Sequence, residues 1–472
     1  MWGRLTKVLF LLVCGGLTAG NDAVVAQEKV HKLALISDIH FNPFDPISLT
    51  GALIARPVEA WPEIFATVEN QEMSPWGEDT NFALLNSSLR AYAANTAEAE
   101  LTFLGGDILA HRFEKIAREA LAGSLSEAEI RELKQNTAIF VGEQLAAQFP
   151  GRPIIFALGN NDSDCGDYEI TPGGGFLSGT REMVRKLVGP QLLSDDFDKT
   201  YGAGGYYVAQ HPQVPDTKII VLNDVLWSDK YRDSCGKGGD TAGHDMLNWL
   251  RDQLVGQKAS GGKVWLVHHI PWGIDAFSTN RSSKTECTSK VVPFLREPFS
   301  SEFLAMLHTF SSTITTSLAS HTHMDDYRLL SGTDATPLIA QKIVPAISPI
   351  FHQNPGFSVA SFTSGGGEIV DFSTYALRNL ESASLSVPGE WQKEYTFTAA
   401  YGLSEYSTQS VGNLIAAIGH GGDAETLYRR YFQVGHGSLP SEVMPAYLCA
   451  MKALEPDNFS KCYCDDATAP AK

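Results

Sequence analysis

What this sequence is short of is positive charge. Its 472 residues carry 36 Lys and Arg against 54 Asp and Glu, a net charge of −18. That balance excludes sequence-independent nucleic-acid binding, which runs on excess cationic surface. It also excludes electrostatic docking on anionic lipid. A small anionic substrate stays open, provided a metal supplies local positive charge. Long apolar runs are absent beyond the N-terminal segment, so no membrane span is expected once that segment is removed. There is no repeat and no low-complexity tract. There is no phosphate-binding loop either: no Lys and helix follow Gly173-Gly174-Gly175 as such a loop requires, so the run reads as flexible. Charged residues are 19% and apolar residues 43%, too apolar for a disordered chain. The length allows about two to four domains, or one large catalytic domain with an appendage.

The first residues read as an address. Arg4 and Lys7 precede the apolar residues 8–13 and the small residues 15–19, the pattern of a secretory signal peptide. Cleavage is expected after Ala26, with Ala19 as the alternative. The location expected is therefore secreted, periplasmic or lumenal. Of 7 Cys, Cys14 leaves with the signal, and six remain. An even number suits disulfides in an oxidising compartment. Cys449, Cys462 and Cys464 crowd together, so one local bridge is expected there. A zinc knuckle is the poorer reading, because no His stands nearby.

Short apolar runs at 33–36, 101–104, 154–157, 219–222 and 264–267 read as buried strands. Helical spacing falls between them, as in Phe82, Leu85, Leu89 and Tyr92. Ser126 and Glu129 form a capping box before Ile130 and Leu133. Asp245 is expected to cap a helix presenting Met246, Trp249 and Leu250. Strands alternating with helices imply an α/β layered core. Segments 162–205 and 228–243 are Gly- and Asp-rich and read as loops. The division expected is a signal at 1–26, a catalytic domain at 27–378, and a mostly helical, Cys-containing subdomain at 379–472.

The chemistry falls just after the apolar runs. In order come Asp38-Ile39-His40, Gly105-Gly106-Asp107, Gly159-Asn160-Asn161-Asp162, His268-His269-Ile270-Pro271 and Ser320-His321-Thr322-His323. One His after a strand is ordinarily a hydrogen-bonded structural residue. Five polar clusters in this order are a different matter, because open α/β sheets gather ligand-binding loops at strand carboxyl ends. In extended chain, residues i and i+2 point to one side. Asp38 and His40 could then grip one ion, and His321 and His323 likewise.

This constellation resembles the calcineurin-like metallophosphoesterases. Gly-Gly-Asp-Ile-Leu-Ala-His (105–111), Lys-Val-Trp-Leu-Val-His-His-Ile-Pro-Trp-Gly (263–273), His-Thr-His-Met-Asp-Asp (321–326) and Asn-Pro-Gly-Phe (354–357) resemble their acid sphingomyelinase-like phosphodiesterase branch. The resemblance implies an α/β fold, a layered β-sandwich core flanked by helices, with a small helical C-terminal subdomain. It implies that Asp38, His40 and His323 hold one divalent ion, that Asn160, His269 and His321 hold a second, and that Asp107 bridges both. Mixed nitrogen and oxygen ligands suit zinc, with manganese or iron as alternatives. His268 stands where Gly is usual and is expected to be structural. His111 matches a His that the branch places to protonate the leaving group. Asn161 replaces the usual His, giving a G-N-N-D pattern that resembles endopolyphosphatase-like members, and is expected to bind a substrate oxygen. A lipid-presenting saposin domain is not expected ahead of Asp38. The function implied is a secreted phosphohydrolase using hydroxide held between two metals. Asn161 tilts its small phosphorylated substrate towards nucleotide or polyphosphate types. The alternatives are a sphingomyelin phosphodiesterase acting on choline phospholipids and a non-catalytic metal-binding scaffold.

Overall fold

The structure, a computed structural model, describes residues 2–3, 29–121, 123–233, 240–331 and 336–466. Apart from residues 2–3, the signal segment, with Cys14, lies outside the described residues, as does Cys235. Twelve strands are described: β1 (Val30–Ile36), β2 (Leu101–Leu104), β3 (Ile154–Phe156), β4 (Tyr207–Gln210), β5 (Thr217–Val221), β6 (Lys263–Val267), β7 (Ile314–Ala319), β8 (Asp326–Ser331), β9 (Pro337–Ile343), β10 (Gly356–Thr363), β11 (Ile369–Leu377) and β12 (Trp391–Thr396). They form two six-stranded sheets, ordered β12-β11-β10-β1-β2-β3 and β4-β5-β6-β7-β9-β8. Each is mixed. β1, β2 and β3 run parallel, as do β5, β6, β7 and β9, while antiparallel strands flank them. Leu33, Leu35, Leu101, Phe103, Ile154 and Ile155 are all at most 1% exposed. Burial on both faces is why these strands read as continuous apolar runs.

The sheets pack face to face. The Trp265 ring of β6 meets Phe362 of β10 edge-on, centroids 5.1 Å apart, and its Nε1 donates to the Gly367 carbonyl at 2.8 Å. Helices cover the outsides. Helix Glu127–Ala147 opens with the expected capping box, Ser126 and Glu129 bonding reciprocally. The carboxyl ends of the sheets are stitched together. The Ile347 N–H, beyond β9, donates to the Ser37 carbonyl at 3.1 Å, and that of Ser348 to Asp38 at 3.0 Å. This seam carries the site.

Local expectations fail in segment 162–205, at residues 173–175 and at Asp245. Segment 162–205 holds two helices, Gly175–Val188 and Phe197–Gly204. The first buries Phe176, Leu177, Thr180, Met183, Val184, Leu187 and Val188, a helical stripe masked by the glycines before it. Gly174 and Gly175 are accordingly its N-cap and first residue rather than a flexible loop. The helix assigned to Asp245 starts earlier, at Thr241, with Asp240 as N-cap. From 379 onward the chain first adds β12 to the edge of one sheet, then five helices from Phe397 to Asp466. Cys449 bonds Cys462, the local bridge expected, and Cys464 reaches Cys287.

Candidate dinuclear metal site

Glycine lets the loops approach. Gly106 has φ +92° and Gly159 lies against Asp107, so a Cβ at either would collide with the other loop. Asp162 fixes the same contact. Its carboxylate accepts N–H groups from Ile108, Leu109 and Gly159 at 2.9–3.3 Å.

The D-x-H and H-x-H pairs are not extended. Asp38, His40, Asp107, His321 and His323 have φ of 46°, 45°, 52°, 71° and 66°. Left-handed backbone costs an L-residue about 1–2 kcal/mol, and strain held by its surroundings clusters at functional sites. This corrects the alternation argument: His321 and His323 do not share a side. His323 Nε2 lies 3.1 Å from His40 Nε2, whereas His321 Nδ1 lies 3.2 Å from His269 Nε2.

Two donor groups result, meeting at Asp107. His40 Nδ1 donates to the Leu109 carbonyl at 2.9 Å and His269 Nδ1 to the Gly105 carbonyl at 2.7 Å. Each bond fixes the ring and turns Nε2 inward. On one side His323 Nε2 is 3.6 Å from Asp38 Oδ1, an oxygen with no hydrogen-bond partner among the described residues. On the other, His269 Nε2 is 3.0 Å from Asn160 Oδ1. Asp107 Oδ2 is 3.4 Å from both His40 Nε2 and His269 Nε2. Asp107 Oδ2 thus stands between the two donor groups.

The electrostatics call for cations here. Burial, with the charge of Asp107 beside it, pushes the Asp38 carboxyl up to about 7. Burial opposes charge on His269, yet the Asp107 and Asp38 carboxylates push that ring up to about 10. Burial also works against the Asp107 charge, but His269 and His40 hold its carboxyl well below the ordinary range. Orphaned Asp38 Oδ1, the inward Nε2 atoms and the mixed oxygen and nitrogen donors fit two divalent ions. His40, His111 and His323 lie close enough to share one ion, as do Asp107, His269 and His321, and Asp38, His40 and Asp107.

The remaining sequence candidates fall beside these donors. The His111 ring stacks on His40, centroids 3.9 Å apart, and its Nδ1 bonds Asp79 Oδ1 at 3.0 Å. Burial disfavours the charged ring, but the Asp79 bond and charge outweigh it and raise the pKa. Asn161 donates its backbone N–H to Asp107 Oδ1 at 2.7 Å and its amide to Oδ2 at 2.9 Å. His268 is fully buried, bonded to Asp224, Ile270 and Gln341 and stacked on Trp272, a structural residue as expected.

Sequence reasoning missed four residues. Asp79 orients His111 through both its side chain and its N–H, and Ser348 Oγ steadies it at 3.0 Å. Asp167 accepts from the Asn160 amide at 2.6 Å, which turns Asn160 Oδ1 towards His269. The Tyr168 hydroxyl bonds His321 Nε2 at 3.0 Å. Asp224 accepts from His268 Nδ1 and from the Ile270 N–H, holding the His269 loop. None belongs to a motif; a lone Asp or Tyr in a polar loop carries no mark in sequence.

With its likeness to curated phosphodiesterases, this helix-flanked double sheet with buried His and Asp donors at its joined strand ends is a metal-dependent phosphoric ester hydrolase. No protein-family profile matches the chain. The chain is similar to human acid sphingomyelinase-like phosphodiesterase 3b, being 24% identical over 99% of this chain and 95% of that one. Cyclic GMP-AMP phosphodiesterase SMPDL3A of Rattus norvegicus is 24% identical over 90% of each chain. Sphingomyelinase phosphodiesterase C of Dictyostelium discoideum is 25% identical over 71% of this chain and 70% of its own. Among solved structures, a dimetal phosphatase from Danio rerio covers 77% of this chain and 99% of its own, at 10% identity and TM-score 0.41.

Proposed function

We propose that the protein is a secreted hydrolase of nucleotide or polyphosphate-type substrates. Asp38, His40 and His323 hold one divalent ion, Asn160, His269 and His321 hold the other, and Asp107 lies between them. Zinc suits this set best. When bound, two such ions supply charge to phosphoryl oxygens and activate water for attack on phosphorus. The protein's own groups do the rest. His111, steadied by Asp79, carries a proton to the leaving oxygen. The Asn161 amide offers N–H to a substrate oxygen once it leaves Asp107. The disulfides support an oxidising compartment, and the signal-like N-terminus supports secretion into it.

The observation that carries the substrate reading is Asn161, seated on Asp107. An amide cannot protonate a leaving group. An alkoxide needs that proton; a phosphate, whose second pKa is about 6, does not. Losing a proton donor here therefore costs phosphoanhydride cleavage less than alkyl ester cleavage. The rival substrate is a choline phosphodiester, in keeping with the name of the Dictyostelium relative.

A panel of sphingomyelin, a nucleoside triphosphate, polyphosphate and a nitrophenyl phosphodiester, with zinc or manganese, separates them. The expected result is fastest turnover on the anhydrides, with Asn161→His accelerating alkyl ester cleavage. Native preference for sphingomyelin, unimproved by Asn161→His, would show the leaving-group reasoning to be wrong.

A further inference from the structure

Two phenylalanines stand exposed where the chemistry is. Phe277 and Phe351 are 49% and 41% accessible. Their ring centroids lie 6.4 Å apart with planes inclined by 56°, so together they form an open notch. Phe351 follows β9 and stands edge-on to two site histidines. Its centroid is 4.6 Å from His323 at 76° and 5.8 Å from His111 at 83°. The notch therefore stands beside His111, the residue proposed above to protonate the leaving group. Single exposed apolar side chains need no explanation. Two aromatic rings paired beside a reactive centre do, because aromatic faces are large contact surfaces that binding would cover.

The exposure of Phe277 is built in. It lies on helix Ala276–Arg281. Ile274 and Ala276 beside it pack on Ala446, Cys449, Ala450 and Phe459 of the C-terminal helices and on Ala453 between them. The Cys287–Cys464 disulfide ties the following segment to the same helices. The C-terminal layer thus holds this rim in place, with Phe277 turned outward.

The chemistry around the notch selects among occupants. The Arg281 guanidinium lies 5.0 Å from the Phe277 centroid. Ser278 and His352 follow the two phenylalanines in sequence, Asn280 lies three residues beyond Phe277, and none of the three is buried. A pair of lipid chains would need a continuous apolar track, and polar side chains interrupt it. A flat heterocycle needs only ring faces, with polar groups at its edge. Stacking also requires no cationic surplus, which a chain of net charge −18 lacks.

We propose that Phe277 and Phe351 are specificity-determining residues that stack a nucleobase carried by the leaving group. The substrate class is then a nucleotide, in preference to a base-free polyphosphate. The proposal rests on the phosphohydrolase reading above. In the step it serves, water adds to phosphorus and the phosphorus–oxygen bond to the base-bearing fragment breaks. That fragment departs with its base held in the notch.

The test compares adenosine triphosphate with inorganic tripolyphosphate, which offers the same anhydride without a base. kcat/KM is measured for the zinc-loaded native protein and for Phe277→Ala, Phe351→Ala, the double variant and Phe351→Tyr. Native protein is expected to favour the nucleotide. The double variant should lose about tenfold or more of that preference, the scale of one stacked base, mainly through KM. Phe351→Tyr, which keeps the ring, should retain the preference. An unchanged preference in the double variant, or none in the native protein, overturns the proposal. So does a larger loss on sphingomyelin micelles than on the nucleotide, which would make the notch a seat for chains. If native protein cleaves neither anhydride nor a nitrophenyl phosphodiester, the hydrolase reading itself fails and takes the proposal with it.

Discussion

Asp107 is the residue on which the two donor groups depend. Its Oδ2 is equally distant from His40 and His269, and both of its oxygens also accept from Asn161. Asp107→Asn keeps the shape and removes the charge, so turnover is expected to fall by about three orders of magnitude or more. Metal content should fall with it; near-native activity and metal content would refute the bridging role. The paired histidines make a sharper test. His323 sits with His40 and Asp38, and His321 with His269 and Asp107. His321→Ala and His323→Ala should each lose mainly one ion, and a different one. Elemental analysis of the two purified variants reads this directly, and full retention of both ions in either would contradict the division.

At the scale of elements, β12 carries a titrating group that bears on stability rather than chemistry. The Glu394 side chain is 1% exposed, and among the described residues neither carboxylate oxygen has a hydrogen-bond partner. Burial pushes its pKa up from 4.5 to about 8; Arg378 and Arg430 oppose the shift and Asp325 adds to it. A carboxyl raised on folding binds its proton more tightly in the native state. Its contribution is therefore full below about pH 4.5 and is lost as pH climbs to about 8. The slope is at most about 1.4 kcal/mol per pH unit. Glu394→Gln should flatten urea-denaturation stability across that window, and an unchanged slope would remove Glu394 as its source.

Elements and site differ in how much of each could be read from sequence. The strands that deliver the site were legible because they are buried on both faces and so spell continuous apolar runs. The helix Gly175–Val188 was not, because three glycines and a polar lead-in outweighed its apolar stripe. The ligand candidates were legible as motifs at strand ends. Their left-handed backbone was not, since D-x-H looks the same in extended and strained chain. Asp79, Asp167 and Tyr168 reach the site from loops whose spacing to the motifs is set only by the fold.

Taken whole, the molecule is an acidic double-sheet sandwich with one cation-seeking seam. Its net charge of −18 offers little attraction to an anionic substrate, so the positive charge for catalysis has to be bound. Asp38, His40, Asp107, His269, His321 and His323, gathered in that seam, are the groups that would hold it. The most direct measurement is a zinc titration of chelator-stripped protein, following nitrophenyl phosphodiester hydrolysis and bound metal in the same samples. Activity should be negligible without metal, rise with added zinc, and level off at two equivalents per chain. Hydrolysis that proceeds unchanged in stripped protein, or a chain that binds no zinc, would contradict a dinuclear metal hydrolase.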